Sequence, residues 1–394
     1  MIELLKALGT AFVTFGNHEF ETFGGTGGRT PMDPFPLFHL METSGQITWV
    51  SSNFEFADRA RVHHLKESGK LVPHADIRLS DDHDLTMLGL LYEAKPPEFH
   101  DYGETTDPSE TAKKMIGDLD AVCAPDRLRS YVALTHQYVF QDYEFAEKVD
   151  RVRLIMGGHD HSVRYRERAP KSPIVKAMSD GRTIRFNWIV EISGDEGDLV
   201  KWARAGDEGA RKALVRWMMN EVCLPVFKYM LTGSKRKGQE LTGKEQKAIY
   251  EFLQAWTKAE RDPNRGILET PGLALTAVRD RYLVIFSLLI NPLAKGFLDL
   301  VPPDPDVLTL VQSYQPDASK AGKAILKAPM ELIIQDSDVR RFSTNFGNIV
   351  ADILLGRFDD DPDKSSEVSL MNSGSFRIDR NIQKGEPITP PHIV

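Results

Sequence analysis

Residues 156–161 read Met156-Gly157-Gly158-His159-Asp160-His161. They close a short apolar run at 152–156 whose composition is that of a β-strand. Two further runs stop in the same way. Residues 131–135 end at His136, and residues 11–15 end at Gly16-Asn17-His18-Glu19. In a layered α/β fold, ligands bind beyond the carboxyl ends of the strands. Three such ends can bring Asn17, His18, His136, His159 and His161 together. A lone histidine at a strand end is ordinarily a polar edge residue. Three clusters in one order point to a shared site.

The residue types indicate its chemistry. Imidazole nitrogens with amide or carboxylate oxygens suit a divalent transition metal such as Mn, Fe, Co or Zn. The glycines before His159 permit a tight turn and a close backbone approach. His159 and His161 are two positions apart, so an extended segment would point both to one side. Two adjacent metals, or one metal and a bridging group, need that arrangement.

Around these ends, residues 1–195 read as α/β. Residues 47–51 are another strand candidate. Asp107-Pro108 opens a helix running to Leu119, since Asp caps and Pro fits the first turn. Residues 196–302 change character and read as a helical insertion. Leu214, Trp217, Met218 and Val222 fall near helical spacing, and Thr242 with Glu245 forms a capping box. Ile249, Phe252, Leu253 and Trp256 then mark one helical face. The most apolar stretch, 282–300, reads as a buried helix. Asn291, Pro292 and Lys295 interrupt it, leaving it short of the ~20 residues of a membrane span.

Pro302-Pro303-Asp304-Pro305 marks a boundary. Beyond it, Phe346, Ile349, Val350, Ile353 and Leu354 outline a helix closed by Gly356. The acidic run at 359–363 lacks the central Gly and terminal Glu of a calcium loop, and reads as a surface turn. Residues 368–371 form a short strand candidate before Asn372-Ser373-Gly374-Ser375.

Composition narrows the function. The 394 residues carry 49 Lys and Arg against 57 Asp and Glu, a net charge of −8. That balance argues against a nucleic-acid binder. With 41% hydrophobic and 27% charged residues, the chain can bury a large core. Two cysteines, Cys123 and Cys223, exclude a disulfide scaffold and leave the redox compartment open. No Asn-x-Ser/Thr sequon occurs, and residues 1–10 show no secretory signal pattern.

The motifs, in order, carry a resemblance. Gly16-Asn17-His18-Glu19, Leu134-Thr135-His136 and Gly157-Gly158-His159-Asp160-His161 resemble blocks of the calcineurin-like metallophosphoesterases, and within them the 5′-nucleotidase family. Ser52-Asn53, and Pro173-Ile174-Val175-Lys176-Ala177 with Asp180, fit that family's catalytic domain. Arg340 and the run from Thr344-Asn345-Phe346-Gly347-Asn348 to Asp352 resemble the start of its C-terminal domain. So do Asn372-Ser373-Gly374-Ser375-Phe376-Arg377, Gly385 and Ile388-Thr389. The resemblance covers about 1–190 and 303–394.

It implies a four-layered α/β/β/α metallophosphatase domain, in part, over 1–195. A helical insertion or linker would follow at 196–302. The N-terminal part of an α+β nucleotide-binding domain would occupy 303–394. It implies two divalent metal ions, Zn, Mn, Fe or Co. Asn17, His136 and His159 resemble ligands of one, and His161 a ligand of the other. His18 resembles the catalytic histidine, and Glu21 stands where the family has an Asp that orients it. Arg340, Asn372 and Arg377 match nucleotide-binding positions, where an arginine fork suits phosphate oxygens. His63, His64, His74 and His83 lie in charged, loop-like stretches and are not assigned as ligands.

Two family blocks are expected before Gly16, an Asp-x-His and a Gly-Asp that supply the bridging carboxylate. The 15 residues before Gly16 hold neither Asp nor His. The family's base-stacking aromatics would lie beyond Val394. Two cations a few Å apart repel, and an anionic bridge offsets that. The expectation is therefore a nucleotide phosphohydrolase by descent, with at most one weakly held ion and negligible turnover in this chain. The alternatives are a cyclic-nucleotide or nucleotide-sugar phosphodiesterase on the same scaffold, or a non-catalytic binding module. The expected partner is a small nucleotide, with no nucleic acid and no membrane span.

Overall fold

The computed structural model describes residues 2–7, 9–20, 35–93, 102–161, 164–168, 171–177, 183–193, 195–223, 225, 243, 247, 251, 272–291, 294, 305–313, 326–334, 344–346, 348–349 and 381–388. Two compact units divide the chain, Met1–Asp304 and Pro305–Val394.

The first unit opens with helix α1 (Ile2–Ala7), strand β1 (Phe12–Val13) and a 3-10 turn, Asn17–Phe20. Next come α2 (Phe35–Thr43), β2 (Thr48–Val50), β3 (Phe54–Phe56), α3 (Arg59–Glu67) and β4 (Leu71–Val72). Strands β5 (His74–Ser80), β6 (His83–Leu91) and β7 (Gly103–Thr105) lead to α4 (Pro108–Ala121). Then follow β8 (Leu128–His136), α5 (Val139–Lys148), β9 (Val152–Gly157), β10 (Arg164–Arg168) and β11 (Lys171–Lys176). Strand β12 (Ile184–Ile192) precedes α6 (Asp195–Arg204), α7 (Glu208–Trp217) and a π-helical turn, Met218–Cys223. Strands β13 (Gly272–Val278) and β14 (Arg281–Ile290) complete it.

Helix α4 shows how local sequence sets an element. The Asp107 carboxylate accepts from the Glu110 N–H at 2.9 Å, Pro108 fills the first turn, and Ala112 and Ile116 are buried on one face.

Four layers stack in the order α/β/β/α. The central sheet runs β10-β11-β9-β8-β6-β5, with parallel pairing from β11 to β6 and an antiparallel strand at each edge. Leu88, Leu90, Tyr131, Ala133, Ile155 and Ile174 on one face pack against α4 and α5. The alternate residues Leu85, Val132, Leu154 and Val175 face the sheet β12-β14-β13 through Ala274, Ile285 and Ile189. The outer side of that sheet, with Val284, Phe286 and Leu288, is covered by Val200, Ala203, Ala210 and Leu214 of α6 and α7.

This arrangement corrects the reading of 282–300 as a buried helix, since residues 281–290 form the middle strand of the second sheet. A short apolar run carries no period when both of its faces are covered, and length alone does not separate strand from helix. Nor is 196–302 all helix, because β13 and β14 lie within it and, with α6 and α7, build the outer half of the sandwich. The helical positions read at 249–256 lie outside the described residues except for 251, which is helical.

A parallel sheet β1-β2-β4 lies on the same side of the central sheet, through Val50, Met87 and Leu134. Its aromatic core includes Phe15, stacked on Trp49 at 4.9 Å. Gly89 lies where the two sheets approach closely. Ser52 N–H donates to Gly89 O at 2.7 Å, and a side chain there would run into the Val50 carbonyl. The neighbouring Asn53 is buried and donates to Leu91 O and Thr106 O, each at 2.8 Å. The Ser52-Asn53 pair thus fastens the end of β6.

The histidines read as loop residues sit instead on regular elements: His63 and His64 on α3, His74 on β5, and His83, fully buried, on β6. Among the described residues no helix is long and apolar enough to cross a membrane.

The second unit contains helix α8 (Pro305–Ser313) and the antiparallel pair β15 (Leu326–Lys327) and β16 (Pro387–Ile388). Asn345, from the Thr344-Asn345-Phe346 motif, accepts from Ile333 N–H and donates to Glu331 O, both at 2.8 Å. The strand candidate at 368–371 and residues 350–356 lie outside the described residues.

Candidate functional site

Three strand ends meet at one end of the sheets. After β1, Gly16 N–H donates to the Glu19 carboxylate at 2.7 Å, so Glu19 closes the 3-10 turn that begins at Asn17. At the end of β8, the His136 carbonyl accepts from Tyr92 N–H at 3.1 Å. After β9, Gly158 N–H donates to Thr135 O at 2.8 Å, and the chain turns sharply.

His159 has φ 75° and His161 φ 50°. The extended segment expected from their spacing is therefore not formed, and alternation does not set where the two rings point. A left-handed conformation at a non-glycine residue costs about 1–3 kcal/mol and concentrates at functional sites.

The turn delivers His159 to His136. His159 Nδ1 lies 3.1 Å from His136 Nε2, which lies 2.9 Å from Asn17 Oδ1. Gly16 makes room for this, since a Cβ there would sit 2.7 Å from His136 Cε1. Among themselves the three polar atoms can share few protons. The amide oxygen brings no proton, and each neutral imidazole nitrogen is either donor or acceptor. One proton is the most that fits between them. A cation beside them would be offered lone pairs in place of that shared proton. The donor set of one amide oxygen and two imidazoles fits a divalent transition ion.

Aromatic rings hold His159 from two sides. Tyr92 is 4.9 Å away between centroids and Tyr138 is 4.2 Å away, edge-on at 83°.

A buried cation ties the loops together. Lys176 Nζ donates to Gln137 O and Gly158 O, each at 2.7 Å, and pairs with Asp160 at 3.0 Å and Asp142 at 2.9 Å. Asp160 also accepts from Val139 N–H at 2.7 Å, and Asp142 from the Thr135 hydroxyl at 2.7 Å. Burial pushes the Asp142 carboxyl above its ordinary value, against the opposing pull of Lys176 and Thr135. Lys176 thereby fixes the Gln137 carbonyl, one residue after His136, relative to the Gly158 carbonyl just before His159. The sequence reading gave neither Lys176 nor Asp160 a role in the site. The signal was a lysine at the end of Pro173-Ile174-Val175, where an apolar strand leaves no room for an unpaired charge.

The remaining candidates divide as follows. His18 lies in the 3-10 turn, with its side chain outside the described set. His161 is half-buried two residues beyond His159. Glu21, Arg340, Asn372 and Arg377 lie outside the described residues. Among the described residues no three of His, Cys, Asp and Glu converge as a metal site, so the cluster depends on the Asn17 amide.

A parallel-centred α/β/β/α sandwich with these residues at its strand ends has the architecture of a calcineurin-like metallophosphoesterase. No family model matches the chain. The trifunctional nucleotide phosphoesterase protein YfkN of Bacillus subtilis (strain 168) is 25% identical over 182 residues, 41% of this chain and 12% of that protein. The crystal structure of the 5′-nucleotidase precursor from Thermus thermophilus matches with a TM-score of 0.58 and 18% identity, over 98% of this chain and 58% of that one. The Haemophilus influenzae NAD nucleotidase (NadN) matches 47% of this chain and 33% of its own at 18% identity, with a TM-score of 0.32 that adds nothing to the fold assignment. The chain thus spans 12% of the curated relative and 58% of the Thermus protein. The resemblance read from the motifs holds: the chain has the 5′-nucleotidase fold.

Proposed function

We propose that this chain belongs to a metal-dependent phosphomonoester hydrolase acting on nucleotides. The observation that carries the reading is the convergence of Asn17 Oδ1, His136 Nε2 and His159 Nδ1 at strand ends. The names of the similar proteins, a nucleotide phosphoesterase and a 5′-nucleotidase, support the substrate class.

Asn17, His136 and His159 would hold one divalent ion, with His161 assigned to a second. Such ions, when bound, lower the pKa of a water and offset charge on the phosphoryl oxygens. The chain's own residues do the rest. Lys176 keeps the His136 and His159 loops in register. His18 is assigned to hydrogen-bond the phosphoryl group or to protonate the leaving oxygen, with Glu21 orienting it. Arg340, Asn372 and Arg377 are assigned to the nucleotide. Residues 303–394 would supply the nucleotide-binding domain, and β12 to β14 with α6 and α7 belong with residues 1–195 in the catalytic sandwich. With three donors for one ion and no bridging carboxylate among the described residues, turnover by this chain is expected to be slow.

The test is a manganese titration of the purified chain, followed by phosphate release from nucleoside 5′-monophosphates. One bound equivalent, lost in His136→Ala together with any phosphate release, supports the reading. No bound cation, or phosphate release indifferent to His136→Ala, overturns it.

A further inference from the structure

We propose that Tyr138 is a positioning residue, whose ring holds the imidazole of His159 in the orientation that offers Nδ1 to a divalent ion. The proposal deepens the hydrolase reading and rests on it, because His159 is taken there as a metal ligand.

His159 needs a brace. Its φ of 75° is unfavourable for a residue with a side chain, and such a conformation persists where the surroundings over-determine it. Gly157 and Gly158 come just before it and bring no side chains to confine its ring. Three rings meet the imidazole instead. His136 lies 4.8 Å away between centroids, Tyr92 4.9 Å and Tyr138 4.2 Å. Tyr138 is the nearest, and its interplanar angle of 83° is that of a T-shaped pair, a favoured arrangement of aromatic rings. Tyr92 is buried, whereas Tyr138 is 44% exposed. A ring so open does little for the core. Its ring contacts are with His159, Tyr92 and Phe140.

The backbone closes the contact. Val139, next to Tyr138, donates its N–H at 2.7 Å to the carboxylate of Asp160, next to His159. Two adjacent residues of one loop are thus joined to two adjacent residues of the other, once through a hydrogen bond and once through the rings. Tyr138 itself is held at the start of α5, where its N–H donates to Gln141 Oε1 at 3.0 Å. Asp160 therefore fixes the backbone, and Tyr138 fixes the ring. A ligand group that is correctly placed for only a fraction of the time binds with only that fraction of its intrinsic affinity. Removing the Tyr138 ring lets the His159 imidazole sample other rotamers, so metal affinity falls although no donor atom is lost. The role belongs to the ring and does not need the hydroxyl.

Two measurements on the full chain test this. Manganese affinity comes from calorimetric titration. The order of the His159 ring comes from nuclear relaxation of the metal-free protein labelled at histidine Cε1. In Tyr138→Ala manganese affinity should fall about tenfold, the order seen when support behind a metal ligand is lost, and the His159 ring should become mobile. Tyr138→Phe should keep both the affinity and the order. Tyr138 is exposed, and matching thermal melts confirm an intact fold. A His159 ring still ordered in Tyr138→Ala, or an unchanged affinity, overturns the positioning role and leaves the hydrolase reading standing. An equal loss in Tyr138→Phe also overturns it, because the hydroxyl would then be the active group. No manganese bound by the unaltered chain overturns the hydrolase reading, and the role of Tyr138 with it.

Discussion

Lys176 Nζ stands 2.9 Å from Asp142 Oδ2, with the two side chains 1% and 0% exposed. A buried charge keeps its pairing because the cost of leaving it alone is large, about 3–5 kcal/mol when one partner is removed. Lys176→Met should destabilise the first unit by about that amount. The sign of the pH dependence follows from Asp142. Its folded carboxyl already lies above the unfolded value, through desolvation, and losing Lys176 raises it further. A raised carboxyl contributes stability at pH below the unfolded value and loses it as pH rises through the folded one. The gap between Lys176→Met and the unaltered protein should therefore narrow in acid. Denaturant titrations at several pH values test this, and a gap that widens in acid would contradict it.

Arg281 and Asp82 show the opposite case. The guanidinium meets both carboxylate oxygens, at 2.9 and 2.5 Å, and also reaches Glu191 at 2.6 Å. The Arg281 hydrogen bonds hold the Asp82 carboxyl well below its ordinary value of 3.8. A depressed carboxyl stabilises the fold above the unfolded pKa and stops doing so as pH falls through the folded one. Asp82→Asn should lower the melting temperature near neutrality, and the difference should shrink progressively below pH 3.8. The effect is small, because the pair is partly exposed and screened. Thermal melts of both proteins across that range measure it.

Gly16 lies against the imidazole of His136. A methyl group there would stand 2.7 Å from Cε1 and 2.9 Å from Nδ1, closer than a real Cβ approaches a ring. Gly16→Ala should therefore displace His136 from Asn17. We expect manganese affinity to fall by about 10–100-fold, as when support behind a metal ligand is lost. Calorimetric titration of the variant gives the number, and an unaltered affinity would remove His136 from the ligand set.

The two thiols should differ in reactivity. Cys223 is fully buried in the π-helical turn, and desolvation pushes its thiol up to about 12. Cys123 is partly exposed. The thiolate is the reacting form. One thiol should label in the folded protein near pH 8 and two in denaturant, as counted by mass after alkylation. Equal labelling rates in the folded state would place Cys223 at the surface.

Local patterns made much of this molecule legible. Residues 131–135 and 152–156 became the cores of β8 and β9, and Asp107-Pro108 opens α4, because caps and apolar runs act within a few residues. The three polar strand ends also follow from local sequence, while the contacts among Asn17, His136 and His159 join residues far apart in the chain. The turn at His159 and His161 was not legible, because their positive φ is imposed by the packing of the strand ends.

What the sequence determined by itself was the set of strands that end in metal-binding residue types, and their order. Tertiary structure alone decided three other things. Residues 281–290 became a strand because partners from β12 and β13 lie along both edges and layers cover both faces, and no short window contains those partners. Lys176 joined the site because Gln137, Asp142, Gly158 and Asp160 enclose it, and a buried ammonium is tolerated only where such acceptors converge. Tyr138 came to flank His159 because Asp160, next to His159 in sequence, accepts from Val139 N–H and so holds the start of α5 there. Short-range hydrogen bonding and periodicity are written along the chain, whereas burial and charge pairing depend on residues that only folding brings together.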